Sequence, residues 1–90
     1  MTREKLKPAG LTDELKGNES ILVLHNDEEN TFEYVIESLM EVCGHDPIQA
    51  EQCTLIAHYN GKCPVKSGPR EDLEVAFRGM TDRKLVVTIE

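Results

Sequence analysis

Ninety residues give one small domain and leave no room for a second core. Only 39% are hydrophobic and 30% are charged, and no apolar run approaches the roughly 18 residues of a bilayer span, so no membrane partner is expected. The net charge of −7 argues against nucleic acid, whose phosphates require a basic face.

Met1 to Glu19 is polar, with Pro8, Gly10 and Gly17 and no sustained periodicity. It is expected to be a flexible N-terminal extension (residues 1–19) ahead of a core domain over residues 20–90. Leu6, Leu11 and Leu15 offer a transient helical stripe, with Thr12 as a cap, for use on a partner; a disordered leader explains them as well. The start lacks the apolar centre of a secretory signal, which points to a cytoplasmic protein.

Ile21, Val23 and Leu24 form a short apolar run that reads as a buried strand. It leads into His25-Asn26-Asp27, and a helix begins within a few residues. Asn30 is the expected N-cap, with Glu33 completing a capping box. Phe32, Val35, Ile36, Leu39 and Cys43 then recur at helical spacing, with Glu33, Glu37 and Glu41 on the opposite face. Gly44 fits the left-handed position after the helix. Asp46 caps a second helix, Pro47 takes its first turn and Gln49 completes a second capping box. Ala50, Cys53 and Ala57 share a stripe of that helix, and Gly61 ends it.

Cys63 to Lys66 reads as a short extended piece, and Pro64 restricts it to a sheet edge or a strand start. Pro69 suits the first turn of a third helix, Arg70 to Met80, with Leu73, Ala76, Phe77 and Met80 as its apolar stripe. Leu85 to Ile89 is a β-branched strand. The order β-α-α-β-α-β, with few strands, predicts an α+β two-layer sandwich in which three helices cover a three-stranded antiparallel sheet. The first and last strands are the most apolar and are expected to pair near the sheet centre.

Asn26 and Asp27 are two acceptors on a stiff strand-to-helix corner, which suits a cationic or multi-donor ligand; turn formation and capping explain the same residue types. From Asp27 to Glu51 there are eight acidic residues and no Lys or Arg. That band favours a cationic ligand such as a peptide's α-amino terminus, or is an ordinary solvated helix face. Cys43, Cys53 and Cys63 are evenly spaced but match no metal or disulfide framework. His25, His45 and His58 do not change that, and no metal or other cofactor is expected. A cysteine enzyme would pair a thiol with His58 as base. Cys53 lies five residues before His58, about 140° around the shared helix, which is the wrong geometry.

Asn26-Asp27 after an apolar strand, then the helix Glu33-Tyr34-Val35-Ile36-Glu37-Ser38-Leu39, then Ala57-His58-Tyr59-Asn60-Gly61-Lys62, resembles the ClpS family, adaptor proteins of the Clp protease. The resemblance covers about Ile21 to Glu90. It implies a non-enzymatic adaptor that binds substrates with a destabilising bulky hydrophobic first residue, an N-degron, and delivers them to a Clp AAA+ unfoldase of ClpA or ClpC type. It implies that Asn26, Asp27 and His58 hold the substrate α-amino group. Asp27 would supply a charge-assisted bond worth about 1.5–3 kcal/mol. Neutral His58 would accept through one ring nitrogen, so affinity is expected to fall below about pH 6.5; a histidine in a last helical turn also suits the helix dipole.

By the same resemblance the side-chain pocket falls on Glu28, Asn30, Phe32, Val35, Thr54 and Ala57, although Phe32 and Val35 also fit core packing. The family usually has Asp at Glu28, Thr-Pro at Asn30-Thr31, and Met at Phe32 and Thr54. These departures bear on selectivity among Leu, Phe, Tyr and Trp, since Phe is stiffer than Met. Glu74 is the implied unfoldase contact, on a third helix shorter than the family's and lacking a lysine the family uses there. The N-terminal extension would also act on the unfoldase. The C-terminal domain of the bacterial ribosomal stalk protein has a similar architecture, so an interaction module of the same fold without a degron pocket is the alternative. A monomer is expected.

Overall fold

The computed structural model describes residues 19–90. The expectations for Met1 to Asn18, including the Leu6, Leu11 and Leu15 stripe, lie outside them. The elements are β1 (Ser20–His25), α1 (Phe32–Cys43), α2 (Pro47–Asn60), β2 (Lys62–Gly68), α3 (Arg70–Asp82) and β3 (Val87–Ile89). The sheet is antiparallel with order β2-β1-β3, so the α+β expectation stands. β1 and β3 do pair, but β1 is central and β3 is an edge.

Side chains alternate across a strand. Leu22 and Leu24 therefore enter one core with Leu39 of α1, Ala50 and Ala57 of α2, Leu73, Ala76 and Met80 of α3, and Val65 and Val87. Val23, on the other face between Pro64 and Thr88, is also covered, whereas Ile21 is 42% exposed. The expected buried strand is thus buried only from Leu22 to Leu24. α1 and α3 approach closely at Gly79, where an added Cβ would lie 2.9 Å from Val42 Cγ1.

Several boundaries differ from the sequence-based expectation. α1 is capped by Thr31, not Asn30: Thr31 Oγ1 accepts from Tyr34 N–H at 3.1 Å. The Asn30 side chain is engaged elsewhere, and Glu33 no longer occupies the third helical position that a capping box requires. In α2, Asp46 Oδ1 accepts from Gln49 N–H at 2.8 Å, with Pro47 in the first turn as expected. Gly44 (φ 76°) and Gly61 (φ 97°) end α1 and α2 in left-handed conformations.

β2 runs from Lys62 to Gly68 because β1 offers partners along its whole length, with a bulge opposite Leu22/Val23. Pro69 precedes α3 instead of opening its first turn, and the helix continues past Met80 to Asp82. β3 begins only at Val87 because the preceding residues close α3. Lys84 adopts φ 70° and donates to Thr81 O at 2.9 Å, while Leu85 N–H donates to Met80 O at 3.1 Å. These two bonds make a Schellman closure.

Candidate functional site

The end of β1 and the last turn of α2 are tied together by main chain. Asn26 N–H donates to Gly61 O at 2.9 Å, and Gly61 N–H donates to Ala57 O at 2.9 Å. The left-handed turn at Gly61 thus anchors the Asn26 backbone beside the helical turn that carries His58. Asp27 then folds its carboxylate back over the loop. Oδ1 accepts from Glu29 N–H at 2.9 Å and from Asn30 N–H at 3.0 Å, the pattern of an Asx turn.

Asn30 fastens this loop from both sides. Its Nδ2 donates to Asp27 Oδ1 at 3.2 Å, reaches Oδ2 at 3.3 Å, and donates to Lys84 O at 3.0 Å in the α3–β3 turn. That turn is fixed in its own right. Tyr34 Oη donates to Arg83 O at 3.0 Å, and Arg83 Nη1 donates to the buried Ser38 Oγ at 3.1 Å. The Arg83 guanidinium is also paired with Glu41. Turn formation thus occupies mainly Asp27 Oδ1, which leaves lone pairs on Oδ2 for a ligand.

Below Asp27 opens a cleft of about 400 Å³, lined by Leu24, His25, Asn26, Asp27, Glu28, Asn30, Phe32, Val35, Thr54, Ala57 and His58. The sequence-derived residues Asn26, Asp27, His58, Glu28, Asn30, Phe32, Val35, Thr54 and Ala57 are all brought together here. Thr54 Oγ1 donates to Ala50 O at 2.8 Å, so its hydroxyl is spent within α2 and its methyl is the surface left to offer. Val35 belongs to the core as well as to the cleft wall, whereas Phe32 is 36% exposed and lies outside the core cluster. The Phe32 and His58 rings meet edge to face at 5.3 Å, and His58 meets Tyr59 the same way at 4.9 Å. Among the described residues no Lys or Arg lines the cleft.

Two lining residues were not foreseen. Leu24 forms part of the floor, and His25, whose Nε2 is hydrogen-bonded with Thr88 Oγ1 at 2.8 Å, stands at the strand end. The position of His25 directly before Asn26 was the available signal. Glu74 is not part of this constellation. It lies on α3 in a separate groove, paired with Arg70 at 3.5 Å.

The Cys43 and Cys63 thiols are poorly suited to nucleophilic work. Burial, and then the neighbouring Cys53 thiol, push Cys63 from 9.0 up to about 11. Burial also raises Cys43, partly opposed by Lys66. Neither is primed as a thiolate. Among the described residues no group of three His, Cys, Asp or Glu could hold a metal ion, and no helix is long and apolar enough to cross a membrane.

What the arrangement can do is accept hydrogen bonds from a cation at its mouth and bury an apolar group beneath. No curated protein sequence matches the chain. Among solved structures it is similar to Agrobacterium tumefaciens ClpS2 bound to L-phenylalaninamide, with a TM-score of 0.76 and 22% identity over 81% of this chain and 95% of that one. That likeness establishes the fold. The model of the family described as ATP-dependent Clp protease adaptor protein ClpS matches residues 17–87, and on that match the chain belongs to the ClpS family, whose members are adaptors rather than enzymes.

Proposed function

We propose that this chain binds the free N-terminus of substrates with a bulky hydrophobic first residue and delivers them to a Clp AAA+ unfoldase of ClpA or ClpC type. On this reading it acts as a cytoplasmic monomer, without a cofactor. Asp27 Oδ2 takes the α-ammonium, Asn26 and His58 complete its shell, and the first side chain descends toward Thr54 and Ala57. The observation that carries the reading is the Asp27 carboxylate, held by backbone donors in a cleft whose lining includes Leu24, Phe32, Val35 and Ala57 and, among the described residues, no Lys or Arg. A carboxylate so placed selects for a cation, and the cleft beneath selects for apolar bulk.

Phe32 and Thr54 shape the choice of first residue. Thr54 exposes little more than a methyl where the family usually has Met, which deepens the floor, and the Phe32 ring makes one wall stiff. An aromatic first residue gains edge contacts with Phe32 that Leu does not. Glu74 on α3 remains the proposed unfoldase contact, on a face apart from the cleft. L-Phenylalaninamide, the ligand carried by the Agrobacterium structure, is the simplest probe. Added to ¹⁵N-labelled protein, it should shift the amides of Asn26, Asp27, Ala57 and His58. Shifts confined to other surfaces, or none, would favour an interaction module that shares the fold without a degron pocket.

A further inference from the structure

The two edges of the sheet are built differently. β2 carries Lys62, Pro64 and Lys66 and a bulge opposite Leu22/Val23, devices that discourage another strand from pairing. β3 carries Val87, Thr88 and Ile89 with no Lys, Pro or bulge, and its only protection of this kind is its three-residue length.

Register decides which β3 groups face outward. Ile21 and Glu90 exchange two main-chain bonds, at 2.8 and 2.7 Å, and His25 N–H donates to Val86 O at 2.9 Å. Bonded pairs alternate with unbonded ones in an antiparallel ladder. The pairs Leu22↔Ile89 and Leu24↔Val87 are therefore unbonded, and the N–H and C=O of Val87 and Ile89 turn away from β1. Among the described residues these four groups have no backbone partner.

Beside this edge runs a groove of about 580 Å³ whose other wall is α3. Phe77 supplies an apolar surface there, and Arg70 is already paired with Glu74. Arg78 has no carboxylate within ion-pair distance among the described residues. In a chain of net charge −7, the groove thus presents a cation that is unpaired among the described residues, an apolar ring and backbone donors and acceptors.

We propose that this edge is a second binding site, which takes an extended segment of another protein as a fourth strand on β3. The side chains that reach α3 come from one face of the added strand and so are spaced two apart. The segment recognised therefore reads apolar-x-acidic, the apolar residue against Phe77 and the carboxylate on Arg78. Main-chain bonds supply adhesion and the two side chains supply choice, as in other strand-addition complexes. The site is separate from the Asp27 cleft and needs no free α-amino group.

The test uses the full chain and the peptide acetyl-Ser-Thr-Val-Thr-Glu-Thr-Ser-amide with a side-chain fluorophore on the last serine. Its blocked N-terminus excludes it from the Asp27 cleft. Saturable binding is expected, with affinity unchanged in Asp27→Ala and weakened about tenfold or more in Arg78→Glu. Ile89→Pro, which removes an outward N–H, should also weaken it, with circular dichroism confirming the fold of each variant. N-methylating one alternate set of peptide amides should abolish binding, and methylating the other set should leave it intact. No saturation up to about 1 mM, equal effects of both methylated sets, or loss of binding in Asp27→Ala would each overturn the proposal.

Discussion

Asn30 carries two obligations on one amide: it steadies the Asp27 carboxylate and ties the loop to Lys84 O. If Asp27 receives the ligand's ammonium, removing that amide loosens the acceptor without deleting it. Asn30→Ala should weaken binding of a free-amine peptide about five- to tenfold, less than the full value of one hydrogen bond to a charged group, because Asp27 Oδ1 keeps its two backbone donors. Asn30→Asp should do worse, because a second carboxylate would face the first. Peptide affinities equal to wild type in both variants would separate Asn30 from the site.

The sequence displayed this residue without displaying its role. Asn26, Asp27 and His58 are singled out by the family resemblance of two short local motifs, one at a strand end and one at a helix end, whereas residue chemistry alone equally fits turns and capping. The partner of Asn30 is 54 residues away, beyond any local pattern. The cap was misassigned for a related reason: Asn30 and Thr31 are both good capping types, and only the competing claim on Asn30 decides between them.

Among elements, α1 and α3 approach closely at Val42 and Gly79. In an open helix interior Gly→Ala gains about 1 kcal/mol. Here the new Cβ would meet a stiff β-branched side chain at 2.9 Å, so overpacking of about 1–3 kcal/mol opposes the gain. Gly79→Ala should therefore be neutral or destabilising in the wild type and stabilising in a Val42→Ala background. A double-mutant cycle in urea measures the difference, and additivity would refute the contact. Helix positions were readable from periodicity, and the left-handed residues at Gly44 and Gly61 from residue type. The start of β3 was not, because Lys84 takes a left-handed conformation that glycine usually marks, so Leu85 closes α3 before the strand begins.

For the molecule as a whole, the Cys63 thiol bears on stability at high pH. Cys63 stays protonated up to about 11 in the folded chain, against 9.0 ordinarily. A raised folded value favours the native state below the unfolded value, and that contribution is lost as pH rises through the folded one. Stability should thus decline between pH 9.0 and about 11, with a shallower slope in Cys63→Ala. Equal slopes in urea midpoints would contradict this. Alkylation of Cys43 and Cys63 at neutral pH should also be slow. The acidic band from Asp27 to Glu51 is not one face: Asp27 and Glu28 line the cleft, Glu33 and Glu37 lie exposed on α1, Glu41 pairs with Arg83 and Asp46 caps α2. Charge counting alone did not make that division.

The central claim is recognition of a free α-amino group attached to an apolar first residue. Fluorescence anisotropy with four short peptides beginning with Leu, Phe, Arg or acetylated Phe tests it directly. Binding of the Leu and Phe peptides near micromolar or tighter, absent for Arg and acetylated Phe and lost in Asp27→Ala, is the predicted result. Equal binding of Phe and acetylated Phe, or no binding of any free-amine peptide, would contradict it.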